Sequence, residues 1–226
     1  MKKKQKPRFP RPYIPTDEKR KRNRRVVCAL LCFLLTVSVL ALPAAALTPD
    51  PSVTSASFRN SRYYLNLKAL TFTGDERTDI VMVAMSQLGY HEGDWTSQFH
   101  GENKTGSDNY VEYNYFNGKV DQLGNGTLTY SYPWCASFVS FCARMAGIPT
   151  ATLRSSLSCS QWVSYFREEG KFKTRQSGYT PRKGDLIFFR SSGSSSSATH
   201  VGIVRYTCNG IVYTVEGNSA DQVRLS

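Results

Sequence analysis

The chain has no Cys-x-x-Cys pair and no Cys/His cluster spaced as zinc ligands, which excludes a finger-type metal site. No oxygen-ligand loop of calcium type follows Glu92 and Asp94, so neither a metal nor a cofactor is expected. No repeated binding module is recognisable. Histidine is scarce, with three residues, so any general base of that type is His91, His100 or His200. The folded part also lacks a charge excess. The formal charge is +12, but residues 1–25 hold twelve Lys/Arg against Asp17 and Glu18. The rest holds 17 Lys/Arg against 15 acids and is near neutral. A basic tail can bind nucleic acid. This one abuts an apolar run, so no nucleic-acid partner is expected.

That run is Val26 to Ala46, twenty-one residues without a charge. It is long enough to cross a bilayer, and the basic flank would stay cytoplasmic with everything after Leu47 outside. Ala44-Ala45-Ala46 also reads as a signal-peptidase site. The expected location is therefore the cell membrane with an extracytoplasmic domain, or secretion if the signal is cleaved. The expected organisation is a basic cytoplasmic tail (1–25), a transmembrane helix or signal sequence (26–47), a linker (48–74) and a folded domain (75–226).

Within that domain, Asp75 to Leu88 reads as a helix with Ile80, Val81, Ala84 and Leu88 on one face, ended by Gly89. Tyr90 to Tyr132 has little periodicity and is rich in Gly, Asn and aromatics. It reads either as a wall of a substrate groove or as an irregular layer packed on the core. Cys135 follows Tyr132-Pro133-Trp134 and opens a helix stopped by Gly147 and Pro149. A cysteine in a first helical turn meets unpaired N–H groups and the positive end of the helix dipole, both of which favour thiolate. A further helix spans Ser158 to Gly170. Leu186 to Phe189 suits a buried strand, and Val223-Arg224-Leu225 could add another.

The other cysteines carry less. Cys28 and Cys32 lie in the apolar run. Cys142 reads as core. Cys135 and Cys142 are too far apart along one helix to bridge. A Cys159–Cys208 disulfide is left open.

His200-Val201-Gly202-Ile203-Val204-Arg205-Tyr206 and Ile211 to Asn218 form a hairpin around Cys208-Asn209-Gly210. The turn length decides the chemistry. A three-residue loop, 208–210, places Gly202 opposite Glu216 and His200 opposite Asn218, with all the polar groups on one face. A two-residue Asn209-Gly210 loop turns Glu216 and Asn218 away from His200 unless a bulge compensates.

Together these segments supply a thiol, a base and an orienting group, the logic of a nucleophilic triad. The blocks Tyr132-Pro133-Trp134-Cys135-Ala136-Ser137-Phe138-Val139, Lys183-Gly184-Asp185-Leu186-Ile187-Phe188-Phe189, His200 to Val204 and Val215-Glu216-Gly217-Asn218 resemble the cysteine, histidine-dependent amidohydrolase/peptidase (CHAP) family. That family is a relative of the NlpC-type papain-like hydrolases. The resemblance covers roughly residues 75–226. It implies an α+β papain-like fold in which the helix bearing Cys135 packs on an antiparallel sheet bearing His200. It implies hydrolysis of peptidoglycan amide bonds, with Cys135 as nucleophile and His200 as base. Glu216 and Asn218 fall on the family's remaining polar positions, and either can orient His200. His91 and His100 fall on no family position. The alternative is a catalytically silent domain of this fold that binds wall peptide or a membrane partner. A third possibility is transfer of the acyl group to an amine rather than to water.

Overall fold

The computed structural model describes residues 53–94, 99–120, 123 and 131–226. All of them lie within one unit spanning residues 44–226. The expected tail and the Val26–Ala46 run lie outside the described residues. Among those described, no helix is long and apolar enough to cross a membrane.

Most helices begin on a side chain that caps them. Ser55 accepts from Phe58 N at 3.1 Å at the start of α1 (Ala56–Arg59). Ser61 accepts from Tyr64 N at 3.2 Å ahead of α2 (Arg62–Lys68). Asp75 accepts from Thr78 N at 3.0 Å ahead of α3 (Glu76–Ser86). Such caps satisfy backbone donors that the helix itself leaves open. Two more helices precede the sheet's first strand by some distance, α4 (Glu112–Val120) and α5 (Cys135–Met145). Then α6 (Cys159–Glu168) starts with Ser158 accepting from Gln161 N at 3.3 Å. Helix α5 differs from these four, since its N-cap Trp134 makes no side-chain cap. Pro133 sits one residue before that cap.

The stretch expected to be a linker is not one from residue 53 onward. Phe58, Tyr63, Tyr64 and Leu67 on α1 and α2 are buried in the common core. Glu112 at the head of α4 fixes this segment. It accepts from Ser55 N at 3.0 Å and from Ser55 Oγ at 2.6 Å. Ser55 and Ser61 in this stretch cap helices, and the folded unit begins ahead of residue 75.

Helix α5 is the centre of the molecule. Ten of its eleven residues are buried, so it needs cover on every side. Helices α3 and α4 cover it on one flank and the sheet covers it on the other. The sheet is a four-stranded antiparallel meander in the order β1 (Leu186–Phe189), β2 (His200–Cys208), β3 (Ile211–Ser219) and β4 (Gln222–Leu225). Helices on one face of an antiparallel sheet make the α+β class. Helix α5 and β3 approach tightly at Gly217, where a Cβ would fall 2.5 Å from Phe138 Cβ.

The Lys183-Gly184-Asp185 turn fastens this sheet to α3. Asp185 Oδ1 pairs with Arg77 Nη1 at 2.6 Å, and Oδ2 accepts from Arg182 N at 2.8 Å and from Tyr179 Oη at 2.7 Å. Gly184 has φ +80, and a Cβ there would meet the Arg77 backbone at 2.6 Å.

The β2–β3 hairpin uses the two-residue turn. Cys208 faces Ile211, Thr207 faces Val212 and Tyr206 faces Tyr213. Asn209 and Gly210 both have positive φ, 50° and 76°, as a type I′ turn demands. A β-bulge then leaves Arg205 unpaired. Beyond it, Val204 faces Thr214 and Ile203 faces Val215. One extra residue on one strand flips the alternation once. The bulge therefore undoes what the short turn would have done, and Glu216 returns to the face that carries His200.

Candidate active site

Cys135 is the first residue of α5. The first helical bond is Phe138 N to Trp134 O at 2.8 Å, so the N–H groups of Cys135, Ala136 and Ser137 have no acceptor within the helix. With no cap from Trp134, these donors and the dipole's positive end surround the thiol. Trp134 itself is fully buried, and its Nε1 donates to Glu92 Oε2 at 2.7 Å. Glu92 Oε1 accepts from Asn109 N at 2.9 Å. This carboxylate thus serves as a clamp between the aromatic segment and the start of α5.

His200 opens β2 and touches the thiol from the sheet side. Its Nε2 lies 2.9 Å from Glu216 Oε2. Glu216 Oε1 accepts from Thr214 Oγ1, so both carboxylate oxygens are engaged. Gly202 makes room for the arrangement, since a Cβ there would lie 2.8 Å from Glu216 Cγ. A second thiol completes the centre. Cys159 is the first residue of α6, and its Sγ lies 3.5 Å from Cys135 Sγ.

The electrostatics follow from these contacts. The hydrogen bond from Cys159 is the largest influence on Cys135. Burial opposes it, and the bond and charge of His200 and a bond from Val201 N–H reinforce it. The Cys135 pKa is lowered to about 5. Cys159 is pushed in the opposite direction, first by its bond to Cys135 and then by burial. Of two thiols in contact, the one beside the imidazole is the one that ionises. Burial disfavours His200 as a cation, but the bonds to Cys135 and Glu216 outweigh it and raise its pKa to about 9. Glu216 is desolvated too, yet its bonds from His200 and Thr214 hold it below the usual carboxylate range. A lowered thiol beside a raised imidazole favours the thiolate–imidazolium pair at neutral pH.

The structure brings three of the four expected side chains together: Cys135, His200 and Glu216. It does not bring the fourth. Asn218 has φ 55 and donates instead to Asn109 Oδ1 at 3.1 Å. A second register shift, between Glu216 and Ser219 on the β4 side, accounts for this departure. His91 and His100 engage backbone atoms of their own segment, Glu92 O and Glu102 N, each at 2.8 Å. Cys142 is fully buried, as core. Cys159 and Cys208 are both free thiols, so the bridge left open between them is not made.

The sequence reading missed Thr214, Glu92 and the second thiol. Thr214 had a signal, because it lies two residues before Glu216 and so shares its face. Cys159 had one as well, since it follows a capping serine at a helix start. Glu92 had none, because its partners are 17 and 42 residues away.

Residues 127–218 match the family model described as CHAP domain. No curated protein and no solved structure matches the chain. Cys135, His200 and Glu216 all fall within the matched span, and across it the chain carries a CHAP domain, the family that its cysteine and histidine blocks resemble.

Proposed function

We propose that this protein is an exported cysteine amidase or endopeptidase acting on the amide bonds of cell-wall peptidoglycan. CHAP domains are cysteine- and histidine-dependent amidohydrolases and peptidases, and the match supports that class. The observation that carries the finer reading is the linked series Cys135–His200–Glu216 at an uncapped helix start.

In this reading the Cys135 thiolate attacks the amide carbonyl. The N–H groups at the head of α5 receive the developing oxyanion, as preorganised donors should. His200 protonates the departing amine and then, as the free base, takes a proton from the water that opens the thioester. Glu216, fixed by Thr214, holds the imidazole ring and stabilises its charge. A silent binding domain requires none of these groups to be linked, which favours the enzyme. The Val26–Ala46 run either anchors the domain beside the wall or directs its secretion.

The test is digestion of purified wall by the full chain and by Cys135→Ala, with released amino groups counted and products identified by mass spectrometry. The expected result is new amino termini or freed peptide stems with the unaltered chain alone. Equal release by both proteins, or none by either, overturns the reading in favour of the binding domain.

A further inference from the structure

Two helix N-termini converge on one pair of sulfurs. Cys135 heads α5 and Cys159 heads α6. Their Sγ atoms are 3.5 Å apart, and both side chains are buried, whereas Cys208 is exposed. A disulfide brings its sulfurs to about 2.05 Å, so the two must approach by roughly 1.5 Å. Rotation of two short side chains supplies movement of that size. Cys142, seven residues further along α5, is too distant along the helix to compete for Cys135.

We propose that Cys135 and Cys159 are a dithiol modification site that oxidises to an internal disulfide, silencing the nucleophile until a thiol reductant reopens it. The regulatory meaning rests on Cys135 being the nucleophile of the function proposed above. The oxidant is a small disulfide, for example oxidised glutathione. The Cys135 thiolate attacks one of its sulfurs, forming a mixed disulfide and expelling one small thiolate, which takes a proton from solvent. Cys159 then attacks Cys135 Sγ. The bond to the second small thiol breaks, and the Cys159 proton leaves with that thiol. Two protein thiols are oxidised and one small disulfide is reduced to two thiols. The bridge removes the thiolate from His200 and from the donors at the head of α5 at the same time.

The test uses the full chain, freed of reductant and equilibrated in glutathione buffers of increasing oxidised fraction. Remaining thiols are trapped with iodoacetamide and the peptides are mapped by mass spectrometry. The expected product is a linked Cys135–Cys159 peptide, with Cys135 alkylation lost and then restored by dithiothreitol. Under the same conditions Cys159→Ser is expected to retain glutathione on Cys135, because nothing resolves the mixed disulfide. If the unaltered chain keeps glutathione on Cys135 with no Cys135–Cys159 link, or if both thiols remain alkylatable throughout, the proposal is overturned. The readout is thiol chemistry alone. A chain that forms the bridge yet releases nothing from wall sinks the hydrolase reading and leaves the dithiol standing.

Discussion

Cys135 and Cys159 hold the same place in their helices and have opposite properties. Each is the first residue of a helix, in α5 of eleven residues and in α6 of ten. The dipole at such an end is worth about 0.3–1 kcal/mol to a nearby negative charge, and both thiols have it. It therefore cannot decide between them. What differs is the surroundings. Cys135 has Val201 N–H and His200 beside it, and at its helix start the backbone donors are left open. At Cys159 the helix start is capped by Ser158, and the thiol's significant partner is Cys135 itself. One thiol becomes the anion and the other becomes its donor. A helix N-terminus prepares a cysteine, and a neighbouring cation with a matched donor selects it.

Removing the cation should break the comparison most severely. In His200→Ala the Cys135 thiol moves from about 5 back towards the ordinary value near 8.5. Its alkylation rate at pH 6 should fall on the order of 100-fold, because the thiolate fraction falls with it. A rate within a few-fold of the unaltered chain would mean that the imidazole does not stabilise the anion. Removing the donor takes away the largest single influence on the thiolate but leaves both the bond and the charge of His200. Cys159→Ala is expected to raise the lower limb of the alkylation profile and slow the reaction at pH 6 roughly tenfold, with His200 still in place. An unmoved lower limb would assign the depression to His200 alone. Glu216→Gln acts on the other limb. The upper limb, set by His200 near pH 9, should shift downward while the lower limb barely moves. NMR titration of the His200 ring measures this directly.

The smallest effect on the pair should come from Glu112→Gln, which serves as a control. Burial raises the Glu112 carboxyl to about 8, against bonds from Ser55 that partly oppose the rise. Below its unfolded pKa, near 4.5, the group is protonated whether the chain is folded or not. As pH rises from there through about 8, the unfolded chain releases the proton and the folded chain retains it, so stability declines across that window. Glu112→Gln should flatten this dependence of the melting temperature on pH. The Cys135 alkylation profile should stay where it is. A shift of both together would tie the clasp on the α1–α2 segment to the active centre.

Much of this centre was legible in the chain because it depends on local patterns. Pro-Trp-Cys before an apolar periodicity marks a helix start. Two β-rich runs around Asn209-Gly210 mark a hairpin, and the alternation of side chains limits Glu216 to one of two faces. The choice between those faces was not legible, since the bulge at Arg205 has no marker in the residues. Helix α4 was missed for a different reason. Its sequence, Glu112-Tyr113-Asn114-Tyr115-Phe116-Asn117-Gly118-Lys119-Val120, contains weak helix formers and a glycine. Packing overrides that propensity. Tyr113 and Phe116 are buried, and Asn117 Nδ2 donates to Ser137 O on α5 at 2.8 Å. The segment before residue 75 misled because its serines cap helices that are too short for a periodicity to show. The aromatic stretch from Tyr90 turns out to be largely interior where it is described, with Tyr90, Phe99, Tyr113 and Phe116 all buried.

The bulge at Arg205 separates the two ends of the hairpin. On the tip side, turn type and pairing obey one count. On the side of the imidazole they obey another, and a single residue converts between them. The turn and the charge relay therefore need not be inherited as one unit. The tip can drift in sequence, or carry a label on the exposed Cys208, while Glu216 keeps its aim. Loss of Arg205 alone would put the strand's polar and apolar faces out of phase at the histidine, so the most consequential position of the hairpin is one whose side chain takes no part in the chemistry.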